Sequence, residues 1–136
     1  MNINVEVDLS KLNLDTGAIE NVISKELEDT SNKIERTAKE LVPVDTGDLK
    51  NSITAKGGGL KYEITADTDY AVYIEDGTKP HTIEGNPYLS IDGNVVRSVE
   101  HPGNKAYKYM ETAYDTHIDG IEDRIAEAID KVLWLI

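Results

Sequence analysis

TGAIENVISKELEDTSNKIERTAKELV, residues 16–42, is the stretch that decides the fold. Its apolar residues recur every three or four positions, which is the spacing of one helix face: Ile19, Val22, Ile23, Leu27, Ile34, Ala38 and Leu41. On the opposite face acidic residues precede basic ones by four positions, as Asp29 precedes Lys33. The stretch therefore predicts a long amphipathic helix, which ends at Val42 because Pro43 disfavours helical geometry in the residue before it.

Short strands are predicted on both sides of this helix. Before it, Ile3, Val5, Val7 and Leu9 alternate with polar residues, the period of a half-buried strand. After it, residues 52–55 and 60–65 predict a hairpin around the turn Lys56-Gly57-Gly58-Gly59. Residues 70–78 have the composition of a strand as well as one helical face, and we interpret them as a short helix.

The segment from Lys79 to Gly103 predicts an irregular excursion. Prolines and glycines interrupt it throughout, and Asp92-Gly93 is typical of a tight type I′ turn. Loops of this length are often functional or partly disordered. Beyond it, residues 104–133 carry an apolar stripe and an acidic outer face, and they predict a second long helix.

These patterns predict an α+β fold in a single domain, residues 1–136. A small mixed or antiparallel sheet would pack against two long helices, with a loop or hairpin excursion at about 79–103. A chain of 136 residues is long enough to bury a real core.

The composition excludes several classes of protein. A formal net charge of −12 disfavours direct binding to nucleic acid and to anionic lipid. The chain has no cysteine, which excludes a disulfide framework and a thiolate zinc site. It also has no apolar run long enough for a membrane span, and the alternating N-terminus is not typical of a signal peptide. We therefore expect synthesis in the cytoplasm and no membrane partner.

Asp-Thr-Gly, the triplet of aspartic proteases, occurs at Asp15-Thr16-Gly17 and again at Asp45-Thr46-Gly47. Such proteases bring two carboxylates together so that they share a proton. Neither triplet follows a buried strand, as a catalytic one would. Instead, both stand where a side-chain oxygen can cap a helix or turn, so we interpret them as caps and keep a hydrolase as the unfavoured alternative.

Other constellations of reactive residues are equally weak. His81 and His101 could meet and form a metal site with Glu75 or Asp76, but loop histidines bonded to the backbone are the simpler interpretation. Ser52, His81 and Asp45 could be written as a triad, although the chain has no nucleophile elbow. Gly57-Gly58-Gly59 lacks the lysine of a phosphate-binding loop. The residues therefore predict no catalytic, cofactor-binding or metal site.

Four segments taken in order resemble a known family: AKELVPVDTGDLKNSI (38–53), DYAVYIEDGTKPHTI (69–83), VEHPGNKAYKYMETA (99–113) and the helix that follows. The order is similar to that of the tail-completion or head–tail joining proteins of long-tailed bacteriophages and prophages, described as minor tail components. The residues that match the motifs are Val44, Asp45, Thr46, Gly47, Leu49 and Ser52; Tyr70, Ala71, Glu75, Gly77 and Thr78; and His101, Pro102 and Gly103.

The resemblance implies a structural protein of the virion neck that has no enzymatic activity and no cofactor. It implies protein–protein contacts with other neck and tail proteins, a homo-oligomeric ring in the virion, and turn or motif roles for the matching residues. A tail terminator or another connector is the alternative within the virion. The excursion at 79–103 would project toward a neighbouring subunit or a tail protein.

The last residues, Trp134, Leu135 and Ile136, continue the apolar stripe as an unbroken run. Such a run cannot all face one side of a helix. Either the chain leaves the helix and Trp134 seals the end of the core, or part of the run is an exposed contact for a partner, since tryptophan is frequent among interface hot spots. We favour the seal.

Overall fold

The computed structural model describes residues 1–9, 17–44, 47–91 and 93–135. The elements in chain order are β1 (Asn2–Glu6), α1 (Gly17–Leu41), α2 (Asp48–Ser52), β2 (Ile53–Gly58), β3 (Lys61–Ala66), α3 (Ala71–Asp76), β4 (His81–Ile91), β5 (Asn94–His101), α4 (Tyr109–Ile118) and α5 (Ile121–Leu135). The fold is α+β, as the sequence predicts. No helix in the described ranges is both long and apolar enough to cross a membrane.

A three-stranded antiparallel sheet has the strand order β1-β3-β2. In its register Val5 lies opposite Tyr62, and Ile53 lies opposite Ala66. The predicted first strand and hairpin are confirmed, but the turn between β2 and β3 is shorter than predicted. Gly57 and Gly58 belong to β2 and pair with β3. A Cβ atom on Gly57 would lie 2.4 Å from the carbonyl oxygen of Lys61, so glycine permits a close approach of the two strands there.

The helix α1 supports two clusters of buried side chains, one toward each end. The cluster at its C-terminal end contains Ile34, Ala38, Val42, Leu49, Ile53, Ile64, Ala66, Ala71, Tyr109, Met110 and Ala113. The cluster at its N-terminal end contains Ile19, Ile23, Leu27 and Tyr62, with Ile121, Ile125 and Ile129 of α5 packed against it. The helix therefore connects the sheet to the C-terminal helices along its whole length.

The predicted second long helix, residues 104–133, is wrong in two respects. It begins only at Tyr109, and it is interrupted between Ile118 and Ile121. The interruption lies at Gly120, whose φ of +78° is the left-handed conformation that commonly ends a helix. Because α5 can turn there, Arg124 reaches Glu26 of α1 with a nitrogen–oxygen distance of 2.8 Å.

The predicted irregular excursion is a long β-hairpin. Strands β4 and β5 pair from His81 opposite His101 to Ile91 opposite Asn94, with a shift of register between Glu84 and Leu89. Two of the signals that suggested a loop, Gly85 and Pro87, fall within this shift, where a bulge accommodates unpaired residues. The predicted reversal at Asp92-Gly93 fits the pairing, although Asp92 lies outside the described residues. The hairpin makes few contacts with the other described elements.

Candidate functional site

The junction between α3 and α4 is built from backbone pairing rather than from a helix. The amide nitrogen of Thr78 donates to the carbonyl oxygen of Asn104 at 2.9 Å, and the amide nitrogen of Asn104 donates back at 3.1 Å. Farther along, Tyr107 donates to Ile74 and Lys108 donates to Glu75, both through main-chain atoms. Residues 104–108 therefore form a non-helical strap that binds Thr78 and the end of α3, and this pairing replaces the first turns of the predicted helix.

Glu75 joins the same two helices through its side chain. It is 5% exposed, and its two carboxylate oxygens accept the amide protons of Met110 at 2.8 Å and Glu111 at 2.9 Å. These amides belong to the first turn of α4, where backbone donors lack partners within the helix and the dipole favours a negative charge. Lys108, which precedes the helix at a φ of +51°, provides no side-chain cap. Glu75 is therefore a cap supplied by a remote helix.

Two glycines allow the chains of the junction to approach closely. A Cβ atom on Gly77 would lie 2.7 Å from the carbonyl oxygen of Asn104. On Gly103 it would lie 2.3 Å from the carbonyl oxygen of Thr78. Both glycines also have positive φ angles, which other residues rarely adopt. The Gly77-Thr78 and Pro102-Gly103 motifs therefore meet, and both positions require glycine.

His81 and His101 stack at the base of the hairpin, with ring centroids 4.9 Å apart. The Nδ1 atom of His81 lies 2.8 Å from the carbonyl oxygen of Lys79, and the Nδ1 atom of His101 accepts the amide proton of Gly103. The two histidines meet, as the sequence allowed, and both rings bond to the backbone, which was the interpretation we preferred. Glu75 is occupied by α4, and Asp76 pairs with Lys108 at 2.8 Å. No group of metal-binding side chains occurs in the described part of the chain.

The first motif of the resemblance reaches the same region. Gly47 precedes α2 with a φ of +85°, and its carbonyl oxygen accepts the amide proton of Asn51, so the predicted helical turn exists. The proposed caps and catalytic carboxylates Asp15, Thr16, Asp45 and Thr46 lie outside the described residues. Ser52 would be the nucleophile of the hypothetical triad with His81 and Asp45. Its hydroxyl instead donates to the carbonyl oxygen of Leu49 and accepts the amide proton of Asp67, which is a structural role.

An exposed aromatic surface covers the junction. Two adjoining grooves share Tyr70, Ile74 and Asn104; Tyr107 lines one groove, and Tyr73 lines the other. Gly47 lies in the first groove, whereas Gly77, Thr78 and the histidine pair lie in the second. We name Tyr70, Tyr73, Ile74 and Tyr107 the tyrosine surface. Tyr73 is 56% exposed, so a large aromatic side chain stands in solvent there.

Beneath this surface Tyr109 is fully buried and its hydroxyl donates to the carbonyl oxygen of Ala71 at 2.9 Å. Burial, together with the nearby charge of Glu75, raises the pKa of Tyr109 far above its ordinary value. The phenol therefore stays neutral and acts as a hydrogen-bond donor that fixes α3 on α4. The interior of the junction is built for rigidity.

The end of the chain departs from the prediction that we favoured. The helix α5 continues to Leu135, so the chain does not leave the helix before Trp134. Trp134 is 89% exposed and Leu133 is 54% exposed. Trp134 therefore does not seal the core, because its position on α5 turns it away from the cluster around Ile23. Ile136 lies outside the described residues.

Residues 9–77 match the family described as "Bacteriophage HK97-gp10, putative tail-component". The chain belongs to this family. The match includes α1, the β2–β3 hairpin and α3, and it ends at Gly77, so the His-Pro-Gly motif lies beyond it. No curated protein and no solved structure matches the chain significantly. Membership supports a structural role in the phage tail, as the resemblance implied.

Sequence patterns missed part of the site. The sequence predicted that the second long helix begins at about Asn104. Instead, the strap contains Asn104, Tyr107 and Lys108, and Tyr107 is part of the tyrosine surface. A signal was present, since Pro102-Gly103 and the charged pair Lys105 and Lys108 are poor beginnings for an apolar stripe. The pairing of Thr78 with Asn104 across 26 residues had no signal of its own.

Proposed function

We propose that the protein is a structural component of the virion neck, which completes the tail or joins it to the head through protein–protein contacts. The observation that carries this proposal is the convergence of three motifs, represented by Gly47, Gly77 and Gly103, beneath one exposed tyrosine surface. The polar groups below it cap helices and pair backbones. An exposed aromatic patch on a rigid support is typical of a protein interface.

The hairpin supports a second contact in the same assembly. Strands β4 and β5 extend from the junction with few contacts to the other described elements, and Val95 is 67% exposed. A two-stranded hairpin by itself is marginally stable in water, so a neighbour that packs on it would stabilise it. We therefore propose that the hairpin lies against a neighbouring subunit or tail protein in a ring.

Electron micrographs of phage particles test the neck assignment. Removal of this chain from the phage should give filled heads and separate tails of normal length. Tails of abnormal length would instead support a terminator, because a terminator by definition stops growth of the tail tube. Intact particles would refute both assignments.

Point variants then test the tyrosine surface. Tyr73→Ala should reduce the yield of joined particles, whereas Val72→Ala should not. The two residues are neighbours on α3 with comparable exposure, 56% and 43%, but only Tyr73 lines one of the two grooves of the tyrosine surface. Asp45→Asn should leave joining intact. A loss of joining in that variant, with unchanged folding, would revive the hydrolase alternative.

A further inference from the structure

The exposed end of α5 is an apolar patch bordered by acidic side chains. Leu133 and Trp134 lie on it, and Asp130 and Glu127 precede Trp134 by four and seven residues, which places them on the same helix face. Of the two basic residues of α5, Arg124 pairs with Glu26 of α1 and Lys131 alone lies between Glu127 and Trp134, so this face remains net negative. No element in the described part of the chain covers Trp134, which is 89% exposed.

The tyrosine surface is an apolar patch bordered by basic side chains. Lys79 lines the groove beside Tyr73, and the ammonium group of Lys105 lies 4.8 Å from the ring centroid of Tyr107. Neither lysine forms an ion pair with any described residue. Asp76, next to the groove, pairs with Lys108, and Asp48, which lines the adjoining groove, has an interaction of its own. This surface can therefore receive a negatively charged partner.

The two patches lie at opposite ends of α1. The tyrosine surface lies beside Pro43, just after the C-terminal end of the helix. Thr37 contacts His117 and Glu26 contacts Arg124, so the chain descends along α1 from α4 into α5. Trp134, ten residues farther on, lies at the N-terminal end. The 25 residues of α1 separate the two patches by about 36 Å.

We propose that Trp134 of one copy of this chain docks on the tyrosine surface of a second copy. The aromatic patches supply the apolar contact, while Asp130 and Glu127 meet Lys79 and Lys105 of the neighbour. Tryptophan and tyrosine are the residues most enriched in interface hot spots, and charges at the rim determine orientation. The contact is heterologous, because two different patches meet.

Heterologous contacts generate a ring when the rotation between neighbours closes and a filament when it does not. The proposed contact is the interface through which the ring in the virion would form. The closure of that ring, unlike the contact, rests on the proposed function. The contact itself requires only two copies of the chain.

Salt should promote this contact. Two chains of formal charge −12 repel each other over about 30 Å at 0.01 M salt but over only about 8 Å at physiological salt. Repulsion between whole molecules is therefore damped; the few charge pairs at the rim are weakened as well, but the buried aromatic contact is not. We expect monomers at low salt and weak, concentration-dependent association at physiological salt and above.

Sedimentation velocity on purified protein tests the contact. The wild type should form species larger than dimers at millimolar concentration and physiological salt. Trp134→Ala and Tyr73→Ala should each be monomeric under those conditions, with a dissociation constant for Trp134→Ala raised roughly 30-fold or more. An equimolar mixture of the two variants should form dimers and nothing larger. Trp134→Ala keeps an intact tyrosine surface and Tyr73→Ala keeps an intact Trp134, so each pair of unlike molecules can make only one contact. Val72→Ala should associate like the wild type.

Three results would overturn the proposal: a wild type that stays monomeric, a Trp134→Ala variant that associates like the wild type, or a mixture with no more dimer than its components. Unchanged melting temperatures would show that the variants fold, as expected for exposed positions. The assay contains no other phage component. A negative result would therefore refute this contact but not the neck assignment, which the electron micrographs test separately.

Discussion

Replacing Glu75 measures how strongly one remote cap holds the junction together. Glu75→Gln keeps one oxygen that can accept an amide proton but turns an NH₂ group toward the second amide and removes the charge. The wild-type carboxylate accepts protons from Met110 and Glu111 at 2.8 and 2.9 Å, in a site where Glu75 is 5% exposed. A hydrogen bond to a charged group contributes about 1.5–3 kcal/mol, and a carboxylate at a helix N-terminus adds up to about 1 kcal/mol.

We therefore expect Glu75→Gln to lower the free energy of unfolding by about 2–3 kcal/mol and Glu75→Ala by about 3–5 kcal/mol, since the latter also leaves a cavity. Urea unfolding followed by circular dichroism measures both losses. Asp76→Asn is the matched control, because Asp76 is the next residue and the ion pair of its carboxylate among the described residues is with the exposed Lys108. If Glu75→Gln costs no more than Asp76→Asn, the cap does not hold α4, and the assignment is refuted.

Three further predictions concern the glycines, the pH dependence and the hairpin. Gly103→Ala should lower the free energy of unfolding in urea by at least about 3 kcal/mol, because the added Cβ atom would lie 2.3 Å from a carbonyl oxygen. Gly93 has a similar φ but no atom within 4 Å, so Gly93→Ala should lower it by only about 1 kcal/mol. Equal losses would contradict the close approach at Gly103. Burial, together with Lys33, Arg124 and Arg36, lowers the pKa of His117 below 6.5, so the unfolded chain binds a proton first as the pH falls. Stability should therefore decrease below about pH 6.5, and His117→Gln should flatten that decrease in pH-dependent thermal unfolding; an unchanged slope would exclude His117 as a cause. Amide protons of residues 81–101 should exchange faster than those of α1, because the hairpin packs little against the rest of the described structure, and they should become protected when a partner binds. Protection in the free protein equal to that of α1 would contradict this prediction.

Periodic segments of the sequence predicted their own structure well. The three- and four-residue spacing of apolar residues in 16–42 predicted α1, and the predicted C-terminal end agrees with the observed end to within one residue. Such spacing is informative because it places the apolar side chains on the one helix face that packs against the core. The alternation from Ile3 to Leu9 predicted β1 in the same way. The resemblance of residues 38–53 and 69–83 led to the family that residues 9–77 match.

Predictions failed where a segment takes its conformation from a distant partner. Residues 104–108 are not helical because Asn104 pairs with Thr78 and the amides of Tyr107 and Lys108 donate to α3, and this pairing outweighs a helical pattern in the sequence. Strands β4 and β5 are long because each supplies the other's hydrogen bonds, despite Gly85 and Pro87 within β4. Likewise, Gly120 ends α4 at a point where the chain must turn to reach Glu26.

The sequence by itself determined the amphipathic helix, the small sheet and the acidic, cysteine-free surface, because these depend on residues that are near one another in the chain or on composition alone. Only the tertiary structure decided that the motifs of Gly77 and Gly103 meet beside the groove that Gly47 lines, that Glu75 caps α4, and that Trp134 faces solvent. Each of these depends on the distance between groups 25 or more residues apart, or on what the rest of the fold leaves uncovered. No local pattern encodes such a distance, because it is fixed by how both buried clusters pack along α1.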